Sequence, residues 1–115
     1  MKLPRTLTLT DHADFQAVRE QGQSASGKHL VLAILPNPTA IPFRYALITS
    51  KKAGKAHDRT RIRRLIRATL VEIGDQIVPG HHLIFIARWR AKKALHHEIK
   101  RDIINLTRKL GVRKD

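Results

Sequence analysis

Apolar residues recur along this chain in two periods, and the alternation between them lays out the elements. Phe15 and Val18 form an i, i+3 pair behind Asp11, a residue suited to capping, and Asp14, which would lie near the positive end of a helix. With Gly22 as its stop, this predicts a short first helix. Gln23–Lys28 is rich in small polar residues and predicts a turn, with room for one short strand. Leu30–Leu35 is a continuous apolar run of strand length closed by Pro36-Asn37-Pro38, and a proline-punctuated loop reaching Pro42 leads to a second strand, Arg44–Thr49. Strands joined by so short a loop are expected to be antiparallel neighbours.

The period then changes. Behind Asp58, the expected N-cap, Ile62, Leu65, Ile66, Thr69, Leu70 and Ile73 fall on one helical face, and Gly74 ends the run. Pro79-Gly80 turns the chain into His82–Ala87, whose hydrophobicity predicts a central strand buried on both faces. A last helix is expected from about Lys92 to Leu110, with Leu95, Ile99, Ile103, Leu106 and Leu110 aligned and Gly111 as stop. No repeat or low-complexity segment interrupts residues 1–115, which read as a single domain of order αββαβα, or αβββαβα if Gln23–Lys28 contains a strand.

Charge changes the picture more than composition does. With 115 residues, 42% of them hydrophobic and only 4% aromatic, the chain suits one modest core built from Leu, Ile, Val and Ala. The absence of cysteine excludes disulfides, thiolate chemistry and Cys-based zinc sites. Met1–Arg5 lacks the apolar stretch of a signal peptide, and the longest apolar runs are strand-sized, so a cytoplasmic protein without membrane association is expected. The formal charge is +14, and Lys51–Arg67 carries eight cations against the single acid Asp58, a net +7. Because the second half of that block has a helical apolar stripe, the charge is mounted on a packed element. Such a surface can match a particular phosphate geometry, which points to a structured nucleic acid.

On that helix Arg59, Arg63 and Arg67 form one stripe beside the apolar face, with Arg61 and Arg64 further round, and no acid at i±4 compensates them. Arginine's fork suits phosphates and base edges. Gly54, in Lys51-Lys52-Ala53-Gly54-Lys55, either admits a phosphate close to the backbone or is a simple turn glycine. The histidine pairs His81-His82 and His96-His97 diverge in direction and lack metal-ligand spacing, so no protein metal site is expected. Asp11 and Asp14 are assigned to the helix start; Glu72, Asp75, Glu98 and Asp102 are expected to offset neighbouring cations, which leaves no catalytic constellation in the protein. Phe15 reads as core because it shares a face with Val18, with stacking of an unpaired base as the alternative. Trp89, between Arg88 and Arg90, is a lid over the core or a stacking platform, the lid being favoured.

These residues resemble a known family. Asp14-Phe15-x-x-Val18, Gly22, Arg44, the block Ser50-Lys51-Lys52-x-Gly54-x-Ala56-x-x-Arg59-Thr60-Arg61-Ile62-Arg63-Arg64-Leu65-Ile66-Arg67, and Leu83-Ile84-Phe85-Ile86-Ala87-Arg88 are similar, in colinear order over roughly residues 9 to 110, to the bacterial ribonuclease P protein component. The resemblance implies a noncatalytic protein subunit of an RNA-based enzyme that removes 5′ leaders from precursor tRNA. It implies an α+β fold, a two-layer α/β sandwich in which a mixed four-stranded sheet packs with three helices in the order αβββαβα, with a left-handed βαβ crossover. Lys51, Lys52, Arg59, Thr60, Arg61, Arg63, Arg64 and Arg67 would contact the catalytic RNA. Phe15, Arg19, Val31 and Ala33 would line a cleft for the single-stranded leader. The expected partners are that RNA and precursor tRNA, with no protein partner required, and the expected cofactor is Mg2+ held mainly by the RNA, with no organic cofactor. A ribosomal or general structured-RNA-binding protein without enzymatic role is the alternative.

The chain departs from the family pattern at four positions. Thr60 stands where Asn is usual, exchanging an amide for a hydroxyl with one donor. Ala46 replaces a usual Gly. Arg19 and Ala33 occupy cleft positions that are often aromatic, so weaker base stacking and stronger phosphate contact with the leader are expected.

Overall fold

The computed structural model describes residues 1–114, in the order α1 (His12–Gln21), β1 (Gln23–Ser26), β2 (Leu30–Pro36), β3 (Arg44–Ile48), α2 (Ala56–Ile73), β4 (His81–Ala87) and α3 (His96–Lys109). The fold is α+β, with one mixed four-stranded sheet and three α-helices in the order αβββαβα. The Asp11 carboxylate caps α1 by accepting from Ala13 N at 2.8 Å and Asp14 N at 3.4 Å. Gly22 ends α1 where a Cβ would fall 2.5 Å from the carbonyl oxygens of Val18 and Ile34, so the helix can turn this tightly onto β2 only at glycine.

The short strand allowed for in the first polar segment is present, and one expectation about strand pairing is corrected. Gln23–Lys28 holds β1, a short polar edge strand that pairs antiparallel with β2 from Gln23↔Ile34 to Ser26↔Val31. The turn is confined to the residues after it, where Gly27 N donates to Leu30 O at 2.7 Å. Further, β2 and β3 are not neighbours. The strand order is β1-β2-β4-β3, with β4 antiparallel to β2 and parallel to β3. β2 and β4, the two most apolar strands, take the inner positions where both faces are covered, and α2 carries the chain from β3 to β4 in a parallel crossover.

Alternation along the strands divides the core in two. Leu30, Leu32, Ile34, Leu83 and Phe85 meet Ile62, Ile66 and Leu70 of α2 and Ile99, Ile103 and Leu106 of α3 in the main cluster. The sheet with α2 and α3 is thus the sandwich proper. On its opposite face, α1 lies across part of β2 and β4, where Leu9, Val18, Ala33 and Ile84 form a smaller cluster.

Two helix starts also differ from expectation. Asp58 is not the N-cap of α2 but its third helical residue: Lys55 is the N-cap, and its N–H donates to Asp58 Oδ2 at 3.0 Å. The last helix does not begin at Lys92. Trp89–Lys93 is a 3-10 turn, Leu95 is the exposed N-cap of α3, and Glu98 accepts from Leu95 N at 2.9 Å. Glu98 therefore caps a helix first, and it also feels the charge of His29, His97 and Lys28. Asp102 is corrected in the same sense. Buried at 8% exposure on α3, it accepts from the N–H groups of Lys28 (3.2 Å), His29 (2.8 Å) and Leu30 (2.9 Å), and so fastens the β1–β2 turn to the helix. Glu72 does meet cations as expected, with Lys100 Nζ at 2.8 Å and His96 Nε2 at 2.7 Å, which stitches α2 to α3. Its carboxyl is held below the usual range, chiefly by the hydrogen bond from Lys100.

Candidate nucleic-acid interface

The basic surface grows from the turn that links β3 to α2. Lys51–Ala53 is a single 3-10 turn with Ala53 fully buried, so its lysines project outward from a fixed backbone. Gly54 follows with φ +118°, and a Cβ there would lie 2.6 Å from Asp58 Oδ2. The turn alone accounts for this glycine. Asp58, the one acid of the block, is turned inward to cap the helix, with His57 Nε2 at 3.4 Å from its other oxygen. What the first three turns of α2 present outward is therefore nearly pure positive charge.

The predicted RNA-contacting residues divide into two groups. Lys51, Lys52, Arg61, Arg64 and Arg67 are exposed, and among the described residues none of them is ion-paired with an acid. Arg59, Thr60 and Arg63 are half-buried. Arg63 donates through Nη1 to Thr49 Oγ1 and through Nη2 to Thr60 Oγ1 at 3.2 Å, tying the first turns of α2 to the end of β3. Thr60 thus supports a neighbouring arginine, and Arg63 has committed two of its five donors within the protein. Arg59 lines a shallow recess with Lys51, Gly54, Lys55 and Lys92, and its Nε is buried without a hydrogen-bond partner. Lys92, from the turn after β4, belongs to the same basic surface although it lies far from the block in sequence.

The predicted cleft residues also come together. Arg19, Val31 and Ala33 line a small cavity of about 170 Å³ between α1 and the sheet, with Val18, Gly22 and Ile86. Phe15 is half-buried against the α1-side cluster, so it serves as core wall and open surface at once. Ala33 is buried at 6% exposure and forms the floor of this cavity. Val31, Leu35, Ile48 and Ile86 remain half-exposed around it. His82 was not singled out from the sequence as part of this region. It is buried on the α1 face of β4, and burial lowers its pKa, with nearby Asp14 opposing and Arg44 adding to that shift. Trp89 is 62% exposed with the Arg90 guanidinium 5.1 Å from its ring centroid, so it is not a lid. No helix is long and apolar enough to cross a membrane, and among the described residues no three His, Asp or Glu side chains cluster as metal ligands.

Residues 3–111 match the family model for ribonuclease P. The chain belongs to the ribonuclease P protein family. It is 38% identical over 113 residues to the ribonuclease P protein component of Clostridioides difficile (strain 630), covering 97% of this chain and 98% of that one. It is 37% identical over 103 residues to the corresponding protein of Geobacillus kaustophilus (strain HTA426), covering 90% and 85%. The structure of the Staphylococcus aureus RNase P protein superposes with a TM-score of 0.83 at 27% identity, covering 93% of this chain and 97% of that one. The Thermotoga maritima RNase P protein shares the fold, with a TM-score of 0.78 at 21% identity over 88% and 96% of the two chains.

Proposed function

We propose that this chain is the protein subunit of ribonuclease P, binding the catalytic RNA through α2 and the turn before it, and the 5′ leader of precursor tRNA in the cleft beside α1. The observation that carries the reading is the outward face of α2: Arg61, Arg64 and Arg67, with Lys51 and Lys52, on a rigid helix whose only nearby acid is turned inward. Family membership supplies the identity of the RNA.

In this reading the RNA subunit carries the hydrolysis, and the 5′-phosphate stays on the tRNA. Activation of the attacking water would come from Mg2+ held mainly by that RNA. The protein's own residues bind and orient. The cations of α2 lower the repulsion between two polyanions, and Arg19 holds leader phosphates while Phe15 and Val31 offer apolar surface to leader bases. The chain acts in the cytoplasm, where precursor tRNA is made, and no protein partner is required.

The test incubates precursor tRNA with the protein alone, with the cognate RNA subunit alone, and with both at low Mg2+. Cleavage at the mature 5′ end that needs the RNA and is enhanced by the protein is the expected result. Cleavage by protein alone, or no effect of protein on RNA-dependent cleavage, would overturn it.

A further inference from the structure

Trp89 sits oddly for the only tryptophan of the chain. An indole left 62% exposed gives up the burial that makes tryptophan valuable to a small core. Its backbone, by contrast, is tightly held. Arg88 N donates to His29 O at 2.9 Å, Arg88 Nη1 donates to Gly27 O at 2.6 Å, and Ala91 and Ala94 on the following turn are buried. The turn that Arg88 grips is the one Asp102 fastens to α3 through three backbone N–H groups. The ring is thus exposed on a fixed mount, and little conformational freedom remains to be lost on binding.

Its surroundings are cationic. Trp89 lines an open pocket of about 560 Å³ together with Lys28, Arg90, Lys92 and Lys93, with the buried His29 in its wall. Among the described residues none of these four cations is ion-paired with an acid. Glu98, the one acid of the pocket, is engaged by Leu95 N. Lys92 is shared with the recess that contains Lys51, Lys55 and Arg59, so the pocket continues the basic surface of α2.

We propose that Trp89 is the platform of a second, base-stacking subsite, which takes one unpaired nucleobase of the RNA subunit while Lys28, Lys92 and Lys93 hold the flanking phosphates. Arg90 lies over the ring at 5.1 Å and keeps it oriented, and the exposed remainder of the indole accepts a planar base. The occupant is the RNA subunit rather than the leader because the pocket joins the α2 surface. The leader cleft is built on the α1 face of the sheet from different residues. This proposal rests on the ribonuclease P reading.

Because Trp89 is the sole tryptophan, its fluorescence reports on the site directly. The full-length protein is titrated with the cognate RNA subunit, following emission and, in parallel, filter binding. The same binding measurement is made for Trp89→Ala and Trp89→Phe after thermal melts of both. Saturable quenching with the filter-binding affinity is expected. Trp89→Ala should weaken binding by about five- to a hundredfold, the range of one lost base stack, with an unchanged salt slope and melting temperature; Trp89→Phe should recover most of the affinity. Unchanged emission with equal affinity of wild type and Trp89→Ala overturns the stacking subsite and leaves the ribonuclease P reading intact. Quenching by precursor tRNA alone but not by the RNA subunit overturns the assignment of the occupant. Failure of the wild-type protein to bind the cognate RNA overturns the ribonuclease P reading and the subsite with it.

Discussion

The sheet offers Leu30, Leu32 and Ile34 of β2 to α2 and α3, and Val31, Ala33 and Leu35 of the same strand to α1. The two faces are equally apolar in sequence, yet they are covered very differently. Two long helices close the first, leaving Leu30, Leu32, Ile62, Ile66, Ile99 and Ile103 with no exposure at all. One ten-residue helix crosses the second, and Phe15, Leu35, Ile48 and Ile86 keep part of their surface in water. Stability is therefore concentrated on one side of the sheet and available binding surface on the other. The difference lies in how many helices the chain assigns to each face, which strand hydrophobicity does not encode.

Truncating the same residue type on each face tests this contrast most severely. Ile66→Ala, on the closed face, should cost about 2–5 kcal/mol, whereas Ile86→Ala, on the half-open face, should cost about 1 kcal/mol because water and neighbours already share its surface. Urea unfolding measures both, and equal costs would break the comparison. Asp102→Ala should come next, at about 2–4 kcal/mol, since three backbone N–H groups lose a charged acceptor. If its unfolding midpoint stays at the wild-type value, the turn is held by something other than the carboxylate.

Binding should separate the surfaces in the same way. Arg67→Ala removes an exposed cation from α2 and should weaken association with the RNA subunit by about 1.5–3 kcal/mol, whatever the substrate. Phe15→Ala should leave that association intact and lower affinity only for precursor tRNA with a long leader, by about 1–3 kcal/mol, once a melt shows that it folds. The measurement is affinity of the assembled enzyme across a series of leader lengths. Identical profiles for the two variants would mean that one surface serves both RNAs.

The smallest effect concerns pH. Burial lowers the pKa of His82 below its ordinary value of 6.5, so the folded state favours the neutral ring. In the window just below pH 6.5 the unfolded chain binds the extra proton first, and stability falls as pH drops until the folded pKa is passed. Urea midpoints measured downward from about pH 7.5 should show this decline, and His82→Gln should flatten it. An unchanged slope in the variant would remove His82 as its source.

Much of the candidate site was legible because its signals are local. The apolar stripe of α2, the eight cations beside it and the stop at Gly74 all lie within one stretch of chain, and six of those cations are exposed in the structure. The roles of Asp58 and Arg63 were less legible. Both sit inside the motif, but one caps the helix from its third residue and the other bonds to Thr49, just past β3. Lys92 and Trp89 are separated from the block by the end of α2 and the whole of β4, so no local pattern marked them as its neighbours.

The sequence by itself determined the elements: where the helices stop, that β4 is central, and that positive charge rides on one packed helix. Those are consequences of periodicity, capping chemistry and charge count, which act over a few residues. Tertiary structure decided that β4 enters between β2 and β3, and that Asp102 reaches across 72 to 74 positions to hold a turn. It also decided that α1 covers only part of its face and that Trp89 stands in solvent on a rigid mount. Each depends on which distant surfaces meet, and that is settled by the joint burial of all of them, since no single segment can hide its apolar face alone.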